Sequence, residues 1–111
     1  MDQEIQRQIQ DVTKQIVDKY QPESILLFGS AARGLWDKES SDLDFLIVKS
    51  SVPRRGIDRV LELEKLVDYK IACDFLIYKP EELQERKRLG DPFILAILKE
   101  SKTLYAKRKS S

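Results

Sequence analysis

The sequence of 111 residues contains no histidine. That excludes zinc sites built on imidazole and hydrolase triads of the Ser-His-Asp kind, and leaves carboxylates as the metal-binding and proton-accepting groups. Cysteine occurs once, as Cys73 within an apolar run, so no disulfide framework forms inside the chain, which suits a reducing cytoplasm. Neither sign of charge is in excess: twenty Lys and Arg stand against nineteen Asp and Glu, so no overall field points to nucleic acid or to an anionic membrane. No apolar run approaches the roughly 20 residues needed to cross a bilayer. The polar, acidic start Met1-Asp2-Gln3-Glu4 is unlike a secretion signal. A soluble cytoplasmic protein is the expectation.

What is present is globular: 41% of residues are apolar and 35% charged. The length suits one domain, expected over residues 1–106. Lys107, Arg108 and Lys109 belong to a short basic tail over 107–111, read as a solvated terminus.

Ile5, Ile9, Val12, Ile16 and Tyr20 recur at steps of three or four and predict an amphipathic helix that Pro22 ends. Ile25 to Phe28 reads as a strand buried on both faces. Gly29-Ser30 breaks it, a single helical turn is expected just after, and Leu35 to Ser41 reads as a loop with Trp36 as its anchor. Alternation over Asp42 to Val48 predicts a strand with Leu43, Phe45 and Ile47 on one face and Asp42, Asp44, Leu46 and Val48 on the other. After a turn at Ser50 to Gly56, the residues Ile57, Val60, Leu63 and Val67 mark another helical stripe.

Ile71 to Tyr78 predicts a third strand, with Asp74 on the face of Ala72, Leu76 and Tyr78. A helix over about 81–88 stops at Gly90. Asp91-Pro92 then opens another helix as N-cap and first residue. Phe93 to Leu98 is apolar nearly all round: a core helix, or a surface covered by a partner. Thr103 to Tyr105 can add a last strand. Helices alternating with buried strands imply an α/β (α+β) domain with helices packed on a small mixed sheet.

Asp42 and Asp44 leave the same face of one strand, with Cα atoms roughly 6.5 Å apart. Two such anions repel each other and resist desolvation, so they need a cation; oxygen-only ligands favour Mg²⁺, with Mn²⁺ able to substitute, over zinc. Asp74 is the third carboxylate if its strand is a neighbour, and an acid inside so apolar a run is seldom there for stability. Gly29 lets the backbone approach a ligand, a helical turn from Ser30 offers free N–H groups to an anion, and the Ser30 hydroxyl adds a donor. Arg33 either contacts phosphate or pairs with Asp42 or Glu39. Phosphate binding on one side and metal-binding acids on the other describe a nucleoside triphosphate site.

Gly29-Ser30, Arg33-Gly34, Ser41-Asp42-Leu43-Asp44 and the lone Asp74 together resemble the DNA polymerase β superfamily of nucleotidyltransferases. Within it the chain is similar to the minimal nucleotidyltransferases, which are about this length. The resemblance implies the DNA polymerase β-like fold, ATP as substrate and two Mg²⁺ ions. Asp42 and Asp44 would bind both metals, while Asp74 would bind the catalytic one and help take the proton from the acceptor hydroxyl. Gly29 and Ser30 would contact the triphosphate, with Arg33 and Ser41 counted on the same nucleotide-binding side. One departure stands out: eleven residues separate Ser30 from Asp42, against ten in the family, the extra one falling in the loop 35–41.

Larger members of the superfamily carry a further domain for the acceptor, and this chain is expected to have its site completed by another polypeptide, in a hetero-oligomer or a homodimer. Similar minimal proteins pair as antitoxins with a HEPN-domain toxin, an all-helical ribonuclease, and some transfer AMP to its tyrosine. The alternatives are a binding module that neutralises by covering its partner, and nucleotidyl transfer to a small molecule. A haloacid-dehalogenase phosphatase is set aside because its Asp-x-Asp follows a strand, and a Rossmann site because Gly29 to Gly34 lacks the central glycine.

Overall fold

The computed structural model describes residues 3–34 and 42–108. The expected loop with Trp36 and Ser41, and the end of the basic tail, lie outside the described residues. The elements in chain order are α1 (Gln3–Tyr20), β1 (Ser24–Phe28), α2 (Gly29–Ala32), β2 (Leu43–Val48) and α3 (Gly56–Glu64). They continue with β3 (Cys73–Tyr78), α4 (Pro80–Arg88), α5 (Pro92–Glu100) and β4 (Lys102–Ala106).

The strands form one mixed sheet in the order β3-β2-β1-β4, with β1 antiparallel to β2 and β4, and β2 parallel to β3. The two antiparallel neighbours of β1 and the β2-α3-β3 crossover thus put the ends of β1, β2 and β3 side by side. The register aligns Phe28 with Asp44 and Asp44 with Asp74. Alternation then divides the side chains between two apolar layers. On one face Ile25, Leu27, Leu43, Phe45, Ile47, Phe75 and Ile77 pack with the α1 stripe and Leu63 of α3. On the other, Leu46 packs with Ile94 and Ile97 of α5 and Leu83 of α4, flanked by Leu26, Phe28, Leu76 and Tyr78.

The five stripe residues of α1 are all buried. The helix ends where Gln21 turns left-handed (φ 56) and its N–H donates to the Ile16 carbonyl at 3.1 Å, ahead of Pro22. Helix α5 starts as its sequence requires: the Asp91 carboxylate accepts from Phe93 N at 2.9 Å and Ile94 N at 3.3 Å.

Three expectations need correction. Ile57 is not on the buried face of α3 but 61% exposed, and Arg59 is buried there together with Leu63. Arg59 bridges to both Glu82 carboxylate oxygens, at 2.7 and 3.1 Å, and donates to the carbonyls of Pro53, Arg54 and Ile77. With that fork fully engaged, no donor of the buried guanidinium lacks a partner, and it joins α3 to α4 across the open edge of β3. Val67 is buried but lies beyond the end of α3. Finally, α5 is neither wholly core nor wholly surface: Ile94 and Ile97 are buried, while Phe93 and Leu95 are 56% and 44% exposed.

Candidate functional site

The site forms where β1 ends and β2 and β3 begin. Asp42 lies one residue ahead of β2, and Asp44 is the second residue of that strand, so both project from the face that also carries Leu46. Parallel pairing sets Asp74 directly beside Asp44. Asp44 is half-buried, whereas Asp42 and Asp74 are exposed, so Asp74 meets solvent although its neighbours in sequence are apolar.

The three carboxyls are close enough to act on one another: Asp44 feels Asp74 and Asp42, and Asp74 feels Asp42. Burial first, then the charges of Asp74 and Asp42, push the Asp44 carboxyl up to about 6. Asp74 is raised by partial desolvation and by Asp42. The adjoining Cys73 thiol is pushed up to about 12 by burial and then by the three acids, so it stays protonated and is no nucleophile at neutral pH.

This is uncompensated negative charge held in an oxygen-only donor set, which fits a hard divalent cation chemically. Among the described residues, however, no three His, Cys, Asp or Glu side chains already converge with metal-holding geometry.

Gly29 closes the other side. Its backbone is left-handed (φ 74), and a Cβ there would overlap Asp44 Oδ2. Glycine is thus required twice, by conformation and by space. It opens the single turn α2, whose first N–H groups have no helical acceptor, and Ser30 follows at once. Of the two pairings expected for Arg33, the one with Glu39 lies outside the described residues. Arg33 is not bound to Asp42 but to Glu100 at the end of α5, at 3.3 Å, with its side chain 52% exposed. Ser41 also lies outside the described residues. Glu100 also adds to the negative field at Asp44. Sequence reasoning missed it because 67 positions separate the pair.

Among the described residues, two cavities border β3. One of about 420 Å³ is reached from Asp44 and Asp74 and walled by Phe28, Val60, Leu76 and Phe93, with Glu64 and Cys73 also on its lining. A larger one, about 800 Å³, surrounds the Arg59–Glu82 bridge and contains none of the three acids. The smaller therefore bears on the chemistry.

The family model described as "Nucleotidyltransferase domain" matches residues 9–105. The chain belongs to this nucleotidyltransferase domain family. A "putative protein adenylyltransferase" of Methanocaldococcus jannaschii is 38% identical over 87 residues, 74% of this chain and 57% of that protein. The chain thus spans little more than half the length of that relative. A crystal structure of a "putative nucleotidyltransferase" from Sulfolobus solfataricus has a TM-score of 0.62 at 17% identity, covering 91% of this chain and 79% of that one. This likeness is one of fold, and it agrees with the mixed sheet and helices expected of the nucleotidyltransferase domain. No helix among the described residues is long and apolar enough to cross a membrane.

Proposed function

We propose that this chain is a Mg²⁺-dependent nucleotidyltransferase that moves AMP from ATP onto a protein hydroxyl. The observation that carries this reading is the meeting of Asp42, Asp44 and Asp74 beside a glycine turn pressed against Asp44. The likeness to a protein named as an adenylyltransferase supports AMP as the group transferred.

Asp42, Asp44 and Asp74 would hold the divalent cations, whose charge offsets that of the carboxylates and of the phosphates. The Gly29 backbone and Ser30 would receive the β- and γ-phosphates, with Arg33 and Ser41 flanking them. The acceptor oxygen forms its bond to the α-phosphorus as the bond to the bridging oxygen of the β-phosphate breaks. Pyrophosphate leaves with that electron pair, and the hydroxyl proton passes to the Asp74 carboxylate. Positioning and charge neutralisation supply the rate.

In its finer form the acceptor is a tyrosine of a HEPN-type toxin, this chain is the cytoplasmic antitoxin, and the two form a hetero-oligomer. The test is incubation with α-labelled ATP, Mg²⁺ and the product of the neighbouring reading frame. Label should pass to the partner with wild type and not with Asp42→Asn plus Asp44→Asn. Equal labelling by both would refute the reading. One observation favours a second reading, neutralisation by binding alone: Ile57, Leu61, Leu89 and Phe93 are each at least half exposed. Under that reading Asp42→Asn neutralises the toxin as well as wild type does.

A further inference from the structure

β3 is the outermost strand on its side of the sheet, so one of its edges has no strand beside it among the described residues. The direction of each backbone group follows from the pairing. Ala72 and Tyr78 present their carbonyls toward β2, accepting from Leu43 N at 2.9 Å and Lys49 N at 3.0 Å. Alternation turns Asp74 and Leu76 the same way, and Cys73, Phe75 and Ile77 away from β2. The Ile77 carbonyl is taken by Arg59 Nη1 at 3.0 Å. Among the described residues no backbone group pairs with Cys73 or Phe75 on that edge, and these two flank Asp74.

The edge lies in a groove. The cavities of about 420 and 800 Å³ share Val60, Phe75 and Leu76, and between them they follow the whole strand from Cys73 to Tyr78. Val60 and Glu64 of α3 form one bank. Leu89, just after α4, and Phe93 of α5 form the other, 63% and 56% exposed. Apolar banks over unpaired ladder groups suit an extended backbone that carries apolar side chains.

Charge decides whose backbone it is. At the acid end, the charged residues described on the lining are Asp44, Glu64 and Asp74. Toward α4, Glu81, Glu82 and Glu85 meet Arg54, Arg59 and Arg86, but Arg59 is bound to Glu82 and Arg86 to Asp91. A second copy pairing through β3 would set these acids against their own kind. Divalent cations on Asp44 and Asp74 would still leave Glu64 its charge. A basic segment is the complementary one.

We propose that the edge of β3 at Cys73 and Phe75 docks an extended, basic segment of a partner protein, which pairs there as an added strand. Arg59 sets where the pairing stops, because it occupies the Ile77 carbonyl. A segment so held passes beside Asp74. That it then presents a hydroxyl for modification rests on the transferase reading above, whereas the docking does not.

A heptapeptide alternating valine and threonine, with a lysine at each end and blocked termini, is titrated into the full chain while backbone amide shifts are followed. Shifts should centre on Cys73, Asp74 and Phe75, and exchange of the Phe75 amide should slow. N-methylation of the three central residues keeps the side chains but removes ladder donors, and should weaken binding about tenfold. Glutamate in place of lysine should weaken it about fivefold at low salt, a difference that added salt and Glu64→Gln both reduce. Glu64 is exposed, so Glu64→Gln is expected to keep its fold, which the amide spectrum itself reports. No binding of the lysine peptide, equal binding of the methylated one, or shifts confined to Leu89 and Phe93 would each overturn the proposal. So would a peptide-free dimer joined through β3. Transfer from labelled ATP to the product of the neighbouring reading frame is measured separately: its failure, with the peptide still bound at β3, removes the transferase reading and leaves the docking edge.

Discussion

Replacing Gly29 with alanine should cost stability through Asp44, and the cost should largely vanish when Asp44 is shortened. The backbone at Gly29 is left-handed (φ 74), which costs a residue with a Cβ about 1–2 kcal/mol. The new methyl would also overlap Asp44 Oδ2 and stand 3.2 Å from its Cγ, and overpacking of this kind costs about 1–3 kcal/mol more. The sum, about 2–5 kcal/mol, is a large share of a typical small domain's stability. In an Asp44→Ala background only the Asp44 Cβ remains, at 3.5 Å, an ordinary contact. The overpacking component should then disappear and leave about 1–2 kcal/mol of backbone cost. Urea unfolding of wild type, both single variants and the double variant measures the difference, a coupling of about 1–3 kcal/mol. An equal cost for Gly29→Ala in both backgrounds would refute the claim that the turn is pressed onto the acid.

Three further outcomes follow from the same geometry. Asp44 has its folded pKa raised to about 6, above its unfolded value, so in chelator its contribution is present at acid pH and lost as pH rises from about 4 through 6. Asp44→Asn should therefore stabilise the metal-free protein at pH 7.5 by about 1–2 kcal/mol after allowance for solvent screening, and by nothing near pH 4; thermal melts at the two pH values would show it. Glu82 is shifted the opposite way, down to about 2 by Arg59, so its contribution is present above the unfolded carboxylate range and lost as pH falls from about 4.5 toward 2. Removing its partner by Arg59→Met, which leaves the part-exposed Glu82 unpaired and three carbonyls without a donor, should cost about 3 kcal/mol in urea unfolding. Glu100→Gln releases Arg33 and lowers the negative field at Asp44, so ATP should bind about twofold to fivefold more tightly by calorimetry; no change would mean Arg33 never meets the nucleotide.

The parts of the fold legible in the sequence are those that a single element decides. The stripe of α1 needs only helical spacing, and all five of its residues are buried. The two faces of β2 need only alternation, and the Asp91 cap only its neighbours. That Asp42 and Asp44 share a face was legible for the same reason. That Asp74 stands beside Asp44 was not, because it depends on the parallel register of two strands that α3 connects.

The misreadings are likewise contacts distant in sequence. Counting apolar spacing put Ile57 inside, since nothing local signals that Arg59 finds Glu82 23 residues on. The same blindness hid the Arg33–Glu100 pair. Phe93 was visible only as one of six apolar residues in a row. Its exposure follows from which face of α5 is buried, the face of Ile94 and Ile97 that packs on Leu46.

In the proposed reaction the acids and the glycine turn jointly engage a metal–nucleotide. Mn²⁺, a paramagnetic stand-in for Mg²⁺, tests this most directly when titrated with ATP while amide signals are followed. Gly29, Ser30, Leu43, Asp44 and Asp74 should broaden first, and Asp44→Asn with Asp74→Asn should abolish the effect at the same concentrations. Broadening centred on another part of the molecule, or left intact by the double substitution, would contradict it.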